Sequence, residues 1–163
     1  MFTERRFMKQ IDHVDSIDRK LLRQLQHDAS RSHADIAAKA GISAASCWRR
    51  IKAMEDSGVL GRAVRLVDPE KVGRGINVMC QVRLKSHSPE NRRSFEQFMA
   101  AQEQIMECYS MSGDWDYLMR IVASDIADYE KFLMRELLGH SSVATASSSF
   151  ALSQLKYTTV IPL

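Results

Sequence analysis

The chain has 163 residues, of which 45% are hydrophobic and 26% charged, with a formal net charge of +3. That length allows one ordinary domain or two small ones, and the hydrophobic fraction suffices for buried cores, which excludes a disordered chain. The sequence contains no apolar run near the roughly 18 residues of a membrane-spanning helix and does not begin with the apolar segment of a secretion signal, so the expected compartment is the cytoplasm.

Basic charge is concentrated in the first part of the chain. Residues 1–67 carry 13 Lys and Arg against 8 Asp and Glu, whereas residues 68–163 carry 10 against 12. A local excess of positive charge suits contact with a polyanion. The asymmetry favours an amino-terminal module that faces nucleic acid and a second module with another task.

The cysteines predict neither a disulfide framework nor a zinc site. Cys47, Cys80 and Cys108 form no C-x-x-C pair, and no histidine lies at ligand spacing from them. Cys47 is expected to be a small buried hydrophobic residue without a redox role. We therefore expect no metal and no cofactor.

Three helices are predicted in the first third of the chain. In VDSIDRKLLRQLQHD, residues 14–28, apolar residues recur on one side of a helix. The stretch SHADIAAKAG offers Ser32 as an N-cap and Gly41 as a stop that tolerates positive φ. Ser43 then caps a third helix that runs to about Asp56. A short helix, a glycine turn and a longer helix form the helix-turn-helix pattern, whose last helix enters the DNA major groove.

The third helix is predicted to have two different sides. At 100° per residue, Cys47, Ile51 and Met54 point toward the first two helices. The other side combines small residues, which let the backbone approach DNA, with cations that bind guanine or phosphate. The predicted DNA-binding residues, including one in the segment after the helix, are Ser43, Ala44, Ala45, Ser46, Arg49, Arg50, Lys52 and Arg62.

Alternatives remain open for this surface. Helix-loop-helix segments with surface arginines also occur in proteins that never bind nucleic acid. Arg50 leans toward the buried side, where its stem packs beneath a phosphate or its guanidinium pairs with an acid. Trp48 is expected to pack at the helix flank, with contact to the DNA backbone as the second interpretation.

The remaining chain is predicted to be mostly β-structure with two helices. VLGRAVRLVDPEKVG, residues 59–73, indicates a short β-ribbon that serves as a wing or a linker. The following elements have the order β-α-β-β-α-β and read INVMCQVRLKS, SPENRRSFEQFMAAQ, IMECYSMSG, WDYLMRIVAS, DIADYEKFLMRELLGH and VATASSSFALSQLKYT. This order predicts an antiparallel four-stranded sheet with both helices on one face. The bare face is expected to be covered by a second copy of the chain.

With both halves described, the chain resembles the Lrp/AsnC family of leucine- and asparagine-responsive regulators from about Val14 to Leu163. The stretches that carry the resemblance are IDRKLLRQLQHD, ADIAAKAGIS, CWRRIKAMEDSGVL, VDPEKVG and SGDWDYLMRI. The resemblance implies an α+β chain that binds double-stranded operator DNA and a small amino acid and forms dimers, which in this family often build octamers. The sequence leaves dimer and octamer both open, and no membrane contact is expected. Its expected parts are an N-terminal extension (1–13), a winged helix-turn-helix (14–66), a linker (67–75) and a ferredoxin-like βαββαβ ligand-sensing (RAM) domain (76–163).

Within the family, the stretches CWRRIKAMEDSGVL, DYLMRI and SSFALSQLKYTTVIPL are most similar to a subgroup that activates cysteine-detoxification genes in response to cysteine. The resemblance therefore implies cysteine as the effector. Ser46 is a departure, because many members have proline immediately before the cysteine. Without the fixed φ of proline the start of the helix is less rigid, which bears on operator preference.

The resemblance also implies an effector site near the turn after the second strand, between sensing domains. Here that turn is SGDWDY, facing the final strand, and the implied residues are Gly113, Asp114, Trp115, Asp116, Ser149, Phe150 and Ala151. An amino acid's ammonium needs a carboxylate, and its carboxylate needs backbone N–H groups, which glycine lets it approach. Asp116 is the better ligand candidate, since an aspartate in a Gly-Asp turn, like Asp114, ordinarily bonds its own backbone.

The sequence predicts a sequence-specific transcriptional regulator rather than an enzyme. Asp114 and Asp116 share a strand face and could form an acid pair, but no H-E-x-x-H, nucleophile elbow or phosphate-binding glycine loop accompanies them. Two other interpretations stay open at this point. One is a sequence-tolerant chromosome-organising protein, and the other is a small amino-acid-metabolising enzyme with an accessory helical domain.

Overall fold

The structure is a computed structural model that describes residues 14–163. The predicted N-terminal extension, residues 1–13, lies outside the described residues. The chain forms two compact units: a helical unit, whose described part comprises residues 14–65 and Lys156–Leu163, and a sheet unit, Leu66–Leu155. Of the helices described, none is long and apolar enough to cross a membrane.

The helical unit contains three helices, which are α1 (Ser16–His27), α2 (His33–Ala40) and α3 (Ala44–Asp56). Each begins after a residue whose side chain accepts a backbone N–H group of the first turn: Asp15, Ser32 and Ser43. Such a cap satisfies one of the donors that a helix start leaves without a partner. The structure confirms the three predicted helices and the predicted caps Ser32 and Ser43.

Gly41 makes the tight turn between α2 and α3. Its φ of 73° lies in the left-handed region, which side chains with a Cβ rarely adopt. The turn brings the apolar sides of the helices together, and Cys47, Ile51 and Met54 of α3 are buried as predicted. The buried residues of this core are Leu21, Leu22, Ile36, Ala37, Ala40, Cys47, Ile51 and Met54.

The predicted β-ribbon does not form. Residues 61–68 are exposed and belong to no strand of the described chain, and they lead into a single 3-10 turn at Glu70–Val72. A strand is stable only where a neighbouring strand accepts and donates its backbone hydrogen bonds. Within the described chain this segment has no such neighbour, so residues 61–68 form no β-ribbon there.

The sheet unit has the predicted order of elements: β1 (Ile76–Leu84), α4 (Pro89–Ala101), β2 (Ile105–Ser110), β3 (Tyr117–Ala123), α5 (Ile126–Lys131) and β4 (Val143–Phe150). A π-helical segment, Phe132–Leu137, continues α5. The strands pair antiparallel in the order β2-β3-β1-β4. This arrangement confirms the α+β class and the ferredoxin-like sheet.

The last strand is shorter than the predicted span of residues 143–158. In the register of β1 and β4, Val78 lies opposite Phe150, and the last backbone bond runs from the Ala151 N–H to the Asn77 carbonyl. β1 begins at Ile76, so β4 has no neighbour beyond that point. The end of β1 therefore ends β4.

One face of the sheet carries the core of this unit. Val78, Cys80 and Val82 of β1 are fully buried, together with Phe95 of α4 and Leu137 after α5. Residues of the other face are open, among them Met79 and Tyr109, whose side chains are 38% and 53% exposed. Large apolar side chains on an open sheet face indicate a surface that another molecule can cover.

Candidate nucleic-acid interface and ligand site

The exposed side of α3 carries the cations predicted to bind DNA. Arg49 and Lys52 are exposed, and so are Ala44 and Ala45 in the first turn, where no long side chain screens the backbone. The Ser43 hydroxyl accepts the Ser46 N–H at 3.2 Å, which fixes the start of the helix. The fold therefore brings residues 43–52 together on one helix, and Arg62 follows in the exposed segment.

Arg50 is not part of this exposed side. Its guanidinium Nη1 lies 2.7 Å from Asp15 Oδ2 and 2.8 Å from Asp18 Oδ1, both at the start of α1. The sequence left pairing with an acid as an alternative, and this alternative is the one found. We therefore correct its assignment as a DNA ligand, because two carboxylates already occupy the guanidinium and tie α3 to α1.

The same contacts change the electrostatics of the helix start. The Asp18 backbone N–H and the Arg50 guanidinium both stabilise the ionised carboxylate of Asp15 and hold its pKa below the usual value of 3.8.

Lys52 has a different partner, since its ammonium lies 2.8 Å from Asp56 Oδ1 in an exposed i,i+4 pair. Exposed pairs of this kind are screened by water, so Lys52 can exchange Asp56 for a phosphate.

Trp48 is more exposed than predicted. Its side chain is 56% accessible, so the expectation that it packs at the helix flank is wrong for the described chain. The indole lies beside Arg49 on α3, one helical step from the buried residue Cys47. An exposed, amphipathic ring at this place is suited to contact with sugar and phosphate.

The turn between β2 and β3 is fastened to the end of β1. Asp116 accepts the Leu84 N–H at 2.7 Å through Oδ2, and its Oδ1 lies 2.8 Å from His87 Nε2. Arg83 Nε donates to the Asp114 carbonyl at 2.8 Å, and the guanidinium stacks over the Trp115 ring at 5.2 Å. These contacts join the turn to the end of β1 and to the residues that follow it.

The two aspartates of the turn have different surroundings. Both oxygens of Asp116 already have partners, whereas among residues 14–163 no group donates a hydrogen bond to the Asp114 carboxylate. Gly113, with φ of 116°, precedes it in a conformation that leaves the backbone open. Of the two aspartates, Asp114 is therefore the one whose carboxylate has no hydrogen-bond donor among the described residues.

The turn and the final strand do not meet within one chain. Along β1, Val82 pairs with Tyr117 beside the turn, but Val78 pairs with Phe150 near the end of β4. The separation of four residues corresponds to about 13 Å along the strand. A site that contains both the turn and residues 149–151 therefore needs two copies of the chain.

A cavity of about 250 Å³ opens beside the turn. Its lining residues are Leu84, His87, Arg92, Ser110, Met111, Asp116 and Tyr117. Burial raises the pKa of the Tyr117 hydroxyl to about 12, so this group is a neutral hydrogen-bonding partner. Arg92 and Asp116 are charged residues of opposite sign in this lining, and the Asp116 carboxylate is already bonded to Leu84 and His87.

Both parts of the chain match protein families. The Lrp/AsnC ligand binding domain matches residues 77–161, more than half of the chain, and the AsnC-type helix-turn-helix domain matches residues 14–55. The chain belongs to the Lrp/AsnC family. It is accordingly a DNA-binding transcriptional regulator with a ligand-binding domain.

Relatives in this family are similar over almost the whole chain. The glutamate uptake regulatory protein of Zymomonas mobilis is 36% identical over 150 residues, covering 92% of this chain and 91% of that protein. The DNA-binding transcriptional activator DecR of Escherichia coli K12 is 35% identical, over 92% of this chain and 99% of that protein. The structure of the regulator NMB0573 of Neisseria meningitidis, solved in complex with L-Met, matches with a TM-score of 0.87 at 28% identity, over 91% of this chain and 96% of that chain. Each of these three relatives is a regulator.

The three cysteines of this Lrp/AsnC chain have thiols that burial keeps in the protonated form. Burial raises the pKa of the Cys47 and Cys80 thiols, and it raises that of Cys108 to about 11. Thiols of this kind stay protonated and unreactive near neutral pH. Within residues 14–163, no group of three or more His, Cys, Asp or Glu side chains is arranged to hold a metal ion.

The sequence interpretation gave no role to His87 and Arg92, which line the cavity beside the turn. His87 follows β1 and Arg92 lies in the first turn of α4, and no motif marks either one. His87 lies close to the β2–β3 turn because β1 and β3 pair in the register that places Val82 opposite Tyr117, and Arg92 lines the same cavity from α4. No local sequence pattern indicates that residues so far apart in the chain lie close together in the fold.

Proposed function

We propose that this regulator binds operator DNA by placing α3 in the major groove. In this proposal Ser43, Ala44, Ala45 and Ser46 approach the base edges and the adjoining backbone, Arg49 contacts a base or a phosphate, and Lys52 and Arg62 contact phosphates. The observation that carries the proposal is the exposed, cationic side of α3 opposite a fully buried one. Trp48 supplies a contact to the DNA backbone at the edge of this surface.

The experiment is selection of binding sites from random DNA with the purified full chain, followed by competition with bulk DNA. A sequence-specific regulator keeps its selected site when nonspecific DNA is added in large excess. A sequence-tolerant chromosome-organising protein loses most of its binding to the competitor. Selection that yields no common site contradicts the proposal.

The proposed effector is a small amino acid bound at the β2–β3 turn. Asp114 receives its ammonium, the backbone N–H groups around Gly113 receive its carboxylate, and Trp115 covers its side chain. Residues 149–151 of a second copy complete the site, since one chain keeps them far from the turn. The L-Met complex of the related regulator supports an amino acid as the class of ligand.

For the identity of the amino acid we propose cysteine, on the similarity of three stretches of the chain to the cysteine-responsive subgroup. Thermal-shift measurements with L-cysteine, L-methionine and L-glutamate test this choice, because a ligand that binds the native state raises its Tm. A shift with L-methionine or L-glutamate and none with L-cysteine overturns the choice of cysteine and keeps the class of ligand.

The proposed assembly is a homodimer that covers the open sheet faces, with dimers joining into octamers in the cytoplasm. The exposed apolar residues Met79 and Tyr109 on that face support it. Residues 14–66 bind DNA, 67–75 form the linker and 76–163 sense the ligand and oligomerise. Ligand binding then acts by favouring assemblies that hold paired helix-turn-helix units at different spacings.

A further inference from the structure

The segment Lys156–Leu163 is held against α1 by two side chains. Gln26 binds the peptide of Ile161 with both atoms of its amide: Nε2 donates to the Ile161 carbonyl at 3.2 Å, and Oε1 accepts the Ile161 N–H at 2.6 Å. Arg23 donates to the Leu163 carbonyl from Nε at 3.0 Å and also from Nη2. The Leu163 side chain packs against the core of the helical unit.

The sequence of the segment fits this contact. Pro162 restricts Ile161 to extended backbone, in which the N–H and the carbonyl of one residue point to the same side. One glutamine amide can then bind both groups, as a neighbouring strand does. Arg23 and Gln26 are three residues apart and therefore lie on the same side of α1.

These two side chains have no other hydrogen-bond partner among residues 14–163. Residues 151–155 connect the end of β4 to this segment, which belongs to the helical unit. Residues 66–75, before β1, make the other connection between the two units. The chain therefore passes between the units twice. Two connections leave the helical unit fewer accessible positions than one connection does.

We propose that the side of α1 formed by Arg23 and Gln26 is a docking site for the chain's own residues 157–163, and that the docked segment is a second tether of the DNA-binding unit. In the proposed dimer each chain supplies one helix-turn-helix. By restricting the positions open to each DNA-binding unit, the tether raises the effective concentration of the second copy's helix-turn-helix at the second half-site of the DNA, once the first copy is bound. This consequence rests on the proposed function, whereas the docking itself does not.

Hydrogen exchange of the full chain tests the docking. Gln26→Ala removes both bonds to Ile161, and His27→Ala changes the neighbouring exposed residue, which makes no side-chain hydrogen bond among the described residues. We expect the Ile161 amide to exchange about fivefold faster or more in Gln26→Ala, as loss of one ordinary hydrogen bond implies, and at the wild-type rate in His27→Ala. Equal rates in the wild type and Gln26→Ala overturn the docking.

Binding to DNA with one or two half-sites, taken from the site that the wild type selects, tests the tether. We expect Gln26→Ala to lower affinity for the two-half-site DNA several-fold and to leave affinity for the single half-site unchanged. Equal losses on both DNAs, or no loss despite faster exchange, overturn the tether. Failure of the wild type to select any site counts against the proposed function instead, and the exchange rates still decide the docking.

Discussion

Arg50 of α3 lies 2.7 Å from Asp15, the residue that caps α1. The bond joins the helix proposed to enter DNA to the first helix of the unit, and Asp18 receives the same guanidinium nitrogen at 2.8 Å. A cation in the middle of the proposed reading helix therefore orients that helix, while its neighbour Arg49 remains exposed. Two adjacent arginines thus have separable roles.

Replacing Arg50 and Arg49 in turn separates these roles. We expect Arg50→Met to lower Tm by several degrees, since it leaves two acids without their shared cation, and Arg49→Met, with the same loss of charge, to leave Tm within about a degree. Thermal unfolding followed by circular dichroism measures both. Equal Tm values for the two variants show that the Arg50 pair has no part in holding α3.

The lowered pKa of Asp15 predicts how stability depends on pH. Because the folded state holds this carboxyl group's pKa below 3.8, the contribution to the free energy of unfolding is complete above about pH 4 to 5 and is lost as the pH falls through the lower, folded value. Urea unfolding between pH 3 and 6 measures this loss. We expect the free energy of unfolding to fall less steeply with decreasing pH in Arg50→Met than in the wild type. The same fall in both proteins would contradict the assignment of this pH dependence to the contact between Asp15 and Arg50.

Trp48 and Trp115 report on the two proposed sites separately. In a Trp115→Phe background, we expect operator DNA to change the fluorescence of Trp48, since that indole is 56% exposed beside Arg49. In a Trp48→Phe background, we expect operator DNA to change the fluorescence of Trp115 less than does an amino acid that raises the Tm of the protein. No change of Trp48 fluorescence at saturating DNA means that the indole lies outside the interface.

Asp114→Asn tests the ligand site. We expect it to weaken binding of the amino acid about 10- to 100-fold, as loss of a hydrogen bond to a charged group implies, with little effect on Tm without ligand. Isothermal titration calorimetry measures the affinity. Asp116→Asn is the matched control, because it disturbs the bonds to Leu84 and His87 and should lower Tm without ligand. An unchanged affinity in Asp114→Asn rules out Asp114 as the ammonium ligand.

Features fixed by neighbouring residues were predictable from the sequence. Ser32 and Ser43 cap helices through N–H groups three residues away, and Gly41 ends α2 by its own backbone conformation. The alternation of β1 and the buried side of α3 follow from local periodicity in the same way.

Features that depend on distant partners were not predictable. β4 ends where β1 begins, the segment at residues 61–68 finds no strand partner in the described chain, and Arg50 meets acids more than 30 residues away. The contact beside the β2–β3 turn joins His87 to Asp116, which are 29 residues apart. Pairings of this kind come from the tertiary fold, and the sequence interpretation had only local patterns to use.

The most direct test of DNA binding by the exposed side of α3 is the affinity of Arg49→Ala for the selected operator, measured by fluorescence anisotropy at fixed salt. We expect a loss of about 1–3 kcal/mol, roughly 5- to 150-fold, with unchanged Tm. Arg19→Ala, an exposed arginine of α1, is the matched control and should keep most of the affinity. Wild-type affinity in Arg49→Ala, or an equal loss in Arg19→Ala, would contradict the assignment of this surface.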